Sequence, residues 1–446
     1  MKPERPRFAT RLGVIATTVG SAVGLGNVWR FPYEAGVHGG GAFMLIYCLF
    51  ILIIGIPVIT AEFIIGRSTR ANVYGAFKQL PGSPFWRIIG PMGILASLTI
   101  LSFYSVVAGW TADYIVRSFG GFGGASTVAE LHDGFNSFTS SWQSVGWTLG
   151  FLALNYLILR RGVQKGIERM SNLLMPLLFV ILLIFCLNSL LLPGAREGLT
   201  FLFKPDFSRL TPSTWLGAMG QAFFSLSLGL GCLITYSSYF SRETRLLRSA
   251  ATIAGLDTLV AILAGVVIFP AVFSFGESPA AGPKLVFEVL PSIFYGMDLG
   301  MMWSALFFFL LLLASLTSTI SMSEISIAYF TEELHMTRSK AVILNTAIAV
   351  VFGTLCALSF GPLANVKLFD MTMFDLFDFV SSNILLPAGG FLISLYVGWV
   401  LSRRAIDAEL TGTRRAVVNI VIFCLRWIAP ACIALIFLGG LGVFRF

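Results

Sequence analysis

Asp257 is the only charged residue between Ser249 and Gly276. An ionised carboxylate inside so apolar a helix costs several kcal/mol unless something compensates it. The run offers no basic partner, which leaves a bound cation or a proton. A second polar feature, Thr317-Ser318, lies in the uncharged run Leu299–Ser323. Hydroxyl oxygens suit a hard cation such as sodium, although they also bond back to the preceding helical turn. Glu62 and Glu324 are two further acids in apolar surroundings. For Glu324, proton handling and a structural hydrogen bond are both open. His38, His132 and His335 have no metal-ligand spacing.

A hard cation needs more oxygens than these side chains hold, and opened helix backbones supply them as free carbonyls. Two segments have the composition for opening: Gly20-Ser21-Ala22-Val23-Gly24-Leu25-Gly26-Asn27 and Ser225-Leu226-Ser227-Leu228-Gly229-Leu230-Gly231. Each places Gly-Leu-Gly near the middle of an apolar run. Glycine weakens a helix interior by about 1 kcal/mol per residue. Matched interruptions in two halves of a membrane protein point to a transporter's binding site. Close helix packing through small residues is the alternative for either segment alone.

The elements that carry these residues are membrane spans. The 446 residues are 56% hydrophobic and 12% charged, with mean hydropathy +0.85, too few charges to cover a soluble domain of this length. Apolar runs of the roughly 20 residues that a bilayer requires recur throughout. Eleven spans are predicted, centred near Gly20, Ile53, Leu101, Phe151, Val180, Leu226, Leu263, Leu310, Ala349, Leu392 and Leu435. The first starts at Leu12 with no cleavage-like site after the basic tail, so it reads as retained. Lysines and arginines concentrate in that tail and in every second loop, while Gly120–Ser144 has none. The positive-inside rule puts the N-terminus in the cytoplasm and, with eleven spans, the C-terminus outside. This distribution makes the net charge of +8 a topology signal, with no nucleic-acid partner implied. The loops near Arg196–Arg209 and Ser278–Leu299 are long enough for short helices over the outer face. The six cysteines lie in apolar runs without ligand spacing, as free thiols do. The first and sixth spans lie five apart and so cross in opposite directions, as an inverted repeat requires.

Several motifs carry a family resemblance. Ala9-Thr10-Arg11-Leu12-Gly13, the Gly20–Asn27 segment, Arg30-Phe31-Pro32 and Gly39-Gly40-Gly41-Ala42-Phe43 resemble the opening signature of the neurotransmitter:sodium symporter family. Phe223–Gly229 and Leu316-Thr317-Ser318 are similar to its sixth- and eighth-span signatures. The resemblance implies an all-α, leucine-transporter-like fold of two inverted five-helix repeats plus one extra helix. Its parts would be a tail over 1–11, repeats over 12–192 and 213–402, an outer loop over 193–212, and a loop with the eleventh span over 403–446. Many relatives have twelve spans, which leaves the oligomeric state open.

The same resemblance implies two sodium ions. One would be held by Ala22, Asn27, Ser225 and Asp257, the other by Gly20, Val23, Ala314, Thr317 and Ser318. Asp257 falls where many animal relatives have an asparagine beside chloride, so no chloride requirement is expected. Amides near Leu25 and Gly26, with the Tyr104 hydroxyl, would bind a carboxylate. Carbonyls near Ala22, Phe224 and Ser227 would receive an α-ammonium, with Ser225 and Ser318 close by. Ile100, Phe224, Leu230 and Met322 would be apolar walls, and Ser21, Gly24 and Gly229 would leave room. Monoamine transporters carry an aspartate where this chain has Gly24, so a zwitterionic, apolar or aromatic L-amino acid is favoured. Glu62 resembles the carboxylate that receives amides from the opened sixth helix. Arg30 and Asp375 resemble an outer gate; Arg5, Tyr239 and Glu332 an inner one. Gly166 and Pro176 frame a stretch of the fifth span that either unwinds or kinks. The implied function is sodium-coupled uptake across the inner (plasma) membrane, with no enzymatic constellation. A proton-coupled carrier, an ion channel and a substrate-sensing receptor are the rivals.

Overall fold

The computed structural model describes residues 11–124, 127–279 and 285–443. Among them there is no β-strand, only an isolated bridge between Leu368 and Met371. Eight helices are long and apolar enough to cross a membrane: Gly41–Thr69, Pro84–Phe119, Val163–Ser189, Leu246–Ser274, Gly300–Glu332, Arg338–Leu358, Met373–Val400 and Arg415–Gly440. They correspond to the expected second, third, fifth and seventh to eleventh spans. The fourth, Trp142–Leu159, has 18 residues and contains Gln143 and Asn155. The first and sixth each come in two pieces.

The first span is helical over Arg11–Ala22, opens, and resumes with a wide π-helical turn at Gly26–Arg30 and an α-helix at Phe31–Val37. The sixth runs from Pro212 to Ser225 and resumes at Cys232–Ser237. Between them, Ser227, Gly229 and Gly231 all have positive φ, +52°, +80° and +80°, a region that glycine enters at little cost. Both openings fall on the Gly-Leu-Gly segments. The fifth span stays helical through Gly166–Pro176 but begins with a wide turn at Val163–Glu168. The two anticipated loop helices are Ala195–Phe203 and a stretch from Leu285 to Tyr295. A third, Val128–Thr139, was not expected from sequence, although Thr127 and Glu130 form a capping box at its start.

The opened sixth span is braced by backbone contact. A Cβ on Gly229 would lie 2.3 Å from the Leu386 carbonyl oxygen and 2.5 Å from the Gly390 nitrogen. One on Gly389 would lie 2.5 Å from the Gly229 oxygen. The tenth span therefore lies directly on the break. The second span approaches from another side, where a Cβ on Gly66 would stand 2.0 Å from the Ile234 carbonyl oxygen. Such contact holds an irregular backbone where no water is at hand.

Gly66→Ala should therefore lower the thermal midpoint of the purified protein, by about 1–3 kcal/mol of stability for an overpacked core site. Gly255→Ala, with nothing within 4 Å of the added carbon, should leave it nearly unchanged. Equal melting of the two variants would show that the second and sixth spans are not packed this closely.

Candidate functional site

The openings of the first and sixth spans meet at one knot of side chains. Asn27 Nδ2 donates to Ser225 Oγ at 2.9 Å and to Asp257 Oδ1 at 2.8 Å, and also reaches the Asp257 carbonyl at 3.0 Å. The Ser225 hydroxyl donates to Asp257 Oδ2 at 2.6 Å. All three residues are buried. Both carboxylate oxygens thus accept hydrogen bonds, the arrangement of an ionised acid. The Asn27 side-chain oxygen accepts from the Gly24 amide at 3.0 Å, replacing a helical partner lost at the break. To coordinate a cation beside Asp257, the Asn27 amide would have to turn its oxygen inward.

Several other freed backbone groups are matched by side chains. Gln221 Nε2 donates to the Gly26 carbonyl at 2.8 Å, the Ser318 hydroxyl to the Val23 carbonyl at 3.2 Å, and the Ser227 hydroxyl to the Ser21 carbonyl at 3.3 Å. Glu62 Oε1 accepts from the Gly229 amide at 2.9 Å, the contact expected of it. The second proposed ion set also clusters. Ser318 bonds Val23, and a Cβ on Gly20 would be 3.3 Å from Thr317 Cβ. Thr317 Oγ1 bonds back to the Ala314 carbonyl at 3.0 Å and to Leu313 at 3.2 Å, so its hydroxyl keeps an oxygen lone pair for another partner.

Beside the knot lies a cavity of about 30 Å³ lined by Ala22, Gly24, Gly26, Ile100, Tyr104, Phe224, Ser225, Ser227, Leu230, Ser318, Met322 and Leu386. Eleven of these twelve residues are expected substrate contacts; Leu386 is not. The Leu25 amide donates to the Tyr104 hydroxyl oxygen at 3.0 Å, leaving the phenol's own hydrogen available. Gly24 is tightly covered, since a Cβ there would meet Ser318 Oγ at 2.6 Å and Tyr104 Oη at 2.8 Å. Of the other expected residues, Leu25, Ser21 and Gly229 do not border the cavity. Ser21 bonds Thr18, and Gly229 is filled by the tenth span, so neither leaves the room that their size suggested.

The chain matches the model of the sodium:neurotransmitter symporter family over residues 5–122 and 125–445. The chain belongs to that family. It is 40% identical to an uncharacterised sodium-dependent transporter of Bacillus subtilis, YhdH, over the full length of both chains. It is 38% identical to an uncharacterised sodium-dependent transporter of Haemophilus influenzae, over 98% of each chain. Its structure resembles the crystal structure of MhsT in complex with L-phenylalanine, with TM-score 0.89 and 44% identity over 98% of this chain and all of that one. The fold is thus the leucine-transporter-like one, and the protein is a multi-pass membrane transporter that depends on sodium.

Against that family frame, the gate residues sort differently from the sequence expectation. Arg30 lies 4.5 Å from the centre of the Phe224 ring and pairs with Glu34 at 3.4 Å. Asp375 is occupied otherwise. Its Oδ2 accepts from the Thr372 amide and hydroxyl, at 3.3 and 2.7 Å, as part of a helix-capping box. The next carboxylate along, Asp378, accepts from the Ser382 hydroxyl at 2.8 Å. The expected Arg30–Asp375 contact is not formed among the described residues, where the ion-pair partner of Arg30 is Glu34. At the other end, the Tyr239 hydroxyl donates to Glu324 Oε1 at 3.0 Å, and Arg338 grips both Glu324 oxygens at 3.0 and 2.8 Å. Glu324 therefore has an ion-pair partner. Glu332 Oε2 accepts from the backbone and side-chain nitrogens of Asn72 at 3.0 and 2.9 Å. Arg5, the third member of the expected inner gate, lies outside the described residues. Leu386, Gln221 and Arg338 were missed from sequence. Only Gln221, an amide in the apolar sixth span, carried a visible signal.

Arg30→Ala should slow transport and speed labelling of a cysteine placed above Phe224, with substrate binding nearly retained. Asp375→Asn should cost a cap, about 0.5–2 kcal/mol of stability. Unchanged labelling in Arg30→Ala would remove Arg30 from the gate, and accelerated labelling in Asp375→Asn would add Asp375 to it.

Proposed function

We infer that the protein couples two sodium ions to uptake of an apolar or aromatic L-amino acid across the inner (plasma) membrane, by alternating access. The observation that carries this reading is the Asn27–Ser225–Asp257 knot. It ties the two opened spans together, and Ser225 belongs both to the knot and to the cavity wall. An ion in the knot would stiffen the surface on which the substrate rests, which is a direct physical route to coupling. The donors on both Asp257 oxygens favour a cation over a proton as the coupled species. A fixed negative charge there removes the need for chloride. The second ion would sit between the first and eighth spans, at Gly20, Val23, Ala314, Thr317 and Ser318. Inward sodium also draws on the membrane potential, worth about 2.3 kcal/mol per charge per 100 mV. The basic loops place the N-terminus in the cytoplasm and the C-terminus outside.

The substrate class follows from the wall chemistry. The Tyr104 hydroxyl on the cavity wall would donate to a carboxylate, joined by the Leu25 amide once that is released from Tyr104, and no acid lines the cavity to balance a lone amine. Ile100, Phe224, Leu230, Met322 and Leu386 give an apolar end. The bound ligand of MhsT is L-phenylalanine, and neutral amino acid transporters such as rat B(0)AT3 are also similar, 30% identical over 60% of this chain. About 30 Å³ is far below the roughly 150 Å³ that accommodates a benzene ring. Admitting an aromatic side chain thus requires these walls to separate. Arg30, over the Phe224 ring, would close over the substrate from outside together with Asp375 at the start of the tenth span, once that acid leaves its cap. The Tyr239–Glu324–Arg338 and Glu332–Asn72 contacts would close the cytoplasmic side. Glu324 is buried, so opening the cytoplasmic side would have to give its carboxylate a new partner or water, since a buried charge left unpaired is costly.

Uptake into proteoliposomes tests the reading. Sodium should drive uptake of labelled phenylalanine, with leucine and tryptophan competing well and glycine, glutamate and tryptamine poorly. Losing the carboxylate forfeits a charge-assisted hydrogen bond of about 1.5–3 kcal/mol, roughly ten- to hundredfold in affinity. Best competition by glutamate or tryptamine would defeat the pocket assignment.

Replacing chloride by gluconate should leave that uptake nearly unchanged. A collapse without chloride would refute the compensating role of Asp257, and equal uptake on a proton gradient without sodium would support the proton-coupled rival.

A further inference from the structure

The eleventh span, Arg415–Gly440, carries one charged residue beyond its first position, Arg426. Its side chain is exposed on a helix that faces the bilayer, an expensive place for a guanidinium. It is nevertheless held in place. Arg426 Nε bonds to the Gly398 carbonyl, its guanidinium carbon lies 5.6 Å from the centre of the Trp399 ring, and Trp399 Nε1 donates back to the Arg426 carbonyl at 3.1 Å. Trp427 meets Trp399 edge-on at 4.9 Å. The two indoles are 53% and 56% exposed, so they form a surface and not a core. The two terminal nitrogens of Arg426 have no hydrogen-bond partner among the described residues.

Among the described residues no acid forms an ion pair with Arg426. Of the acids between the tenth and eleventh spans, Asp407 is paired with Arg403 at 2.9 Å and Glu409 with Arg67 at 2.6 Å. Arg404, Arg414 and Arg415 are exposed nearby in sequence and add positive charge. The depth is also informative. Trp399 stands at the end of the tenth span, where the chain turns extended at Leu401, and tryptophans prefer the membrane–water interface.

We propose that Arg426, Trp399 and Trp427 form a binding site for the phosphate headgroup of an anionic phospholipid in the cytoplasmic leaflet. The leaflet assignment rests on the orientation read from the basic loops. Phosphate oxygens match the open fork of an arginine, and the indoles flank the glycerol and upper acyl chains. Anionic lipids are enriched on that side of the membrane. A zwitterionic lipid also offers a phosphate, but its quaternary ammonium would enter a patch already rich in arginine.

The test is thermal unfolding of the purified full chain, titrated with phosphatidylglycerol or phosphatidylcholine, with bound lipid counted by native mass spectrometry. Phosphatidylglycerol should raise the melting temperature saturably and remain bound, and phosphatidylcholine should do so weakly. Arg426→Gln should require roughly tenfold or more phosphatidylglycerol for the same shift, while Arg414→Gln keeps the wild-type curve. Arg426→Lys, which keeps the charge and loses the fork, should fall between and serves if the glutamine variant does not fold. Equal effects of the two lipids would overturn the site. So would equal losses in Arg414→Gln and Arg426→Gln, which mean diffuse charge alone, or a dimer that Arg426→Gln dissolves, which means a protein partner. The readout is binding, so a failure of the transport reading leaves this result unaffected.

Discussion

In the middle of a bilayer a helix that opens leaves amides and carbonyls with no water to satisfy them. Everything at the centre of this protein answers that constraint. Asn27 folds back to the Gly24 amide, Gln221 reaches the Gly26 carbonyl, Ser318 reaches the Val23 carbonyl, and Glu62 takes the Gly229 amide. Groups from the second, sixth and eighth spans thus hold the two openings in place. In the proposed sodium-bound state the Asn27 amide would turn its oxygen toward Ser225 and Asp257, whose own oxygens already converge there.

The same constraint explains the packing. The tenth span could not lie on the Gly229 turn unless Gly389 lacked a side chain, nor clear the Phe223 ring unless Gly390 did, and the second could not reach Ile234 unless residue 66 were glycine. Close packing against a nonhelical segment delivers Leu386 to the cavity wall.

What was legible in the sequence was what physics marks locally. Glycine pairs marked the openings, a carboxylate in an apolar run marked the knot with Asn27 and Ser225, and alternating basic loops marked the expected topology. Most of the cavity lining followed from family motifs on the first, third, sixth and eighth spans. The role of Asp375 as a helix cap was not legible, because it depends on where Thr372 starts that helix. Leu386 was hidden because an apolar residue in an apolar span carries no signal until its neighbours are placed. The Glu324 ion pair depends on Arg338, which lies across a turn between two spans and is joined to Glu324 only by folding. Ser21 and Gly229 erred the other way: small size was read as space that other residues in fact fill.

The central claim is that sodium at the Asp257 knot and substrate beside it bind as one unit. The most direct measurement is a sodium titration of equilibrium phenylalanine binding, in chloride-free buffer, for the wild type and Asp257→Asn. The account predicts that loss of the carboxylate raises half-saturating sodium by roughly tenfold or more, with substrate binding recovered at high sodium. Superimposable sodium curves for the two proteins would contradict it.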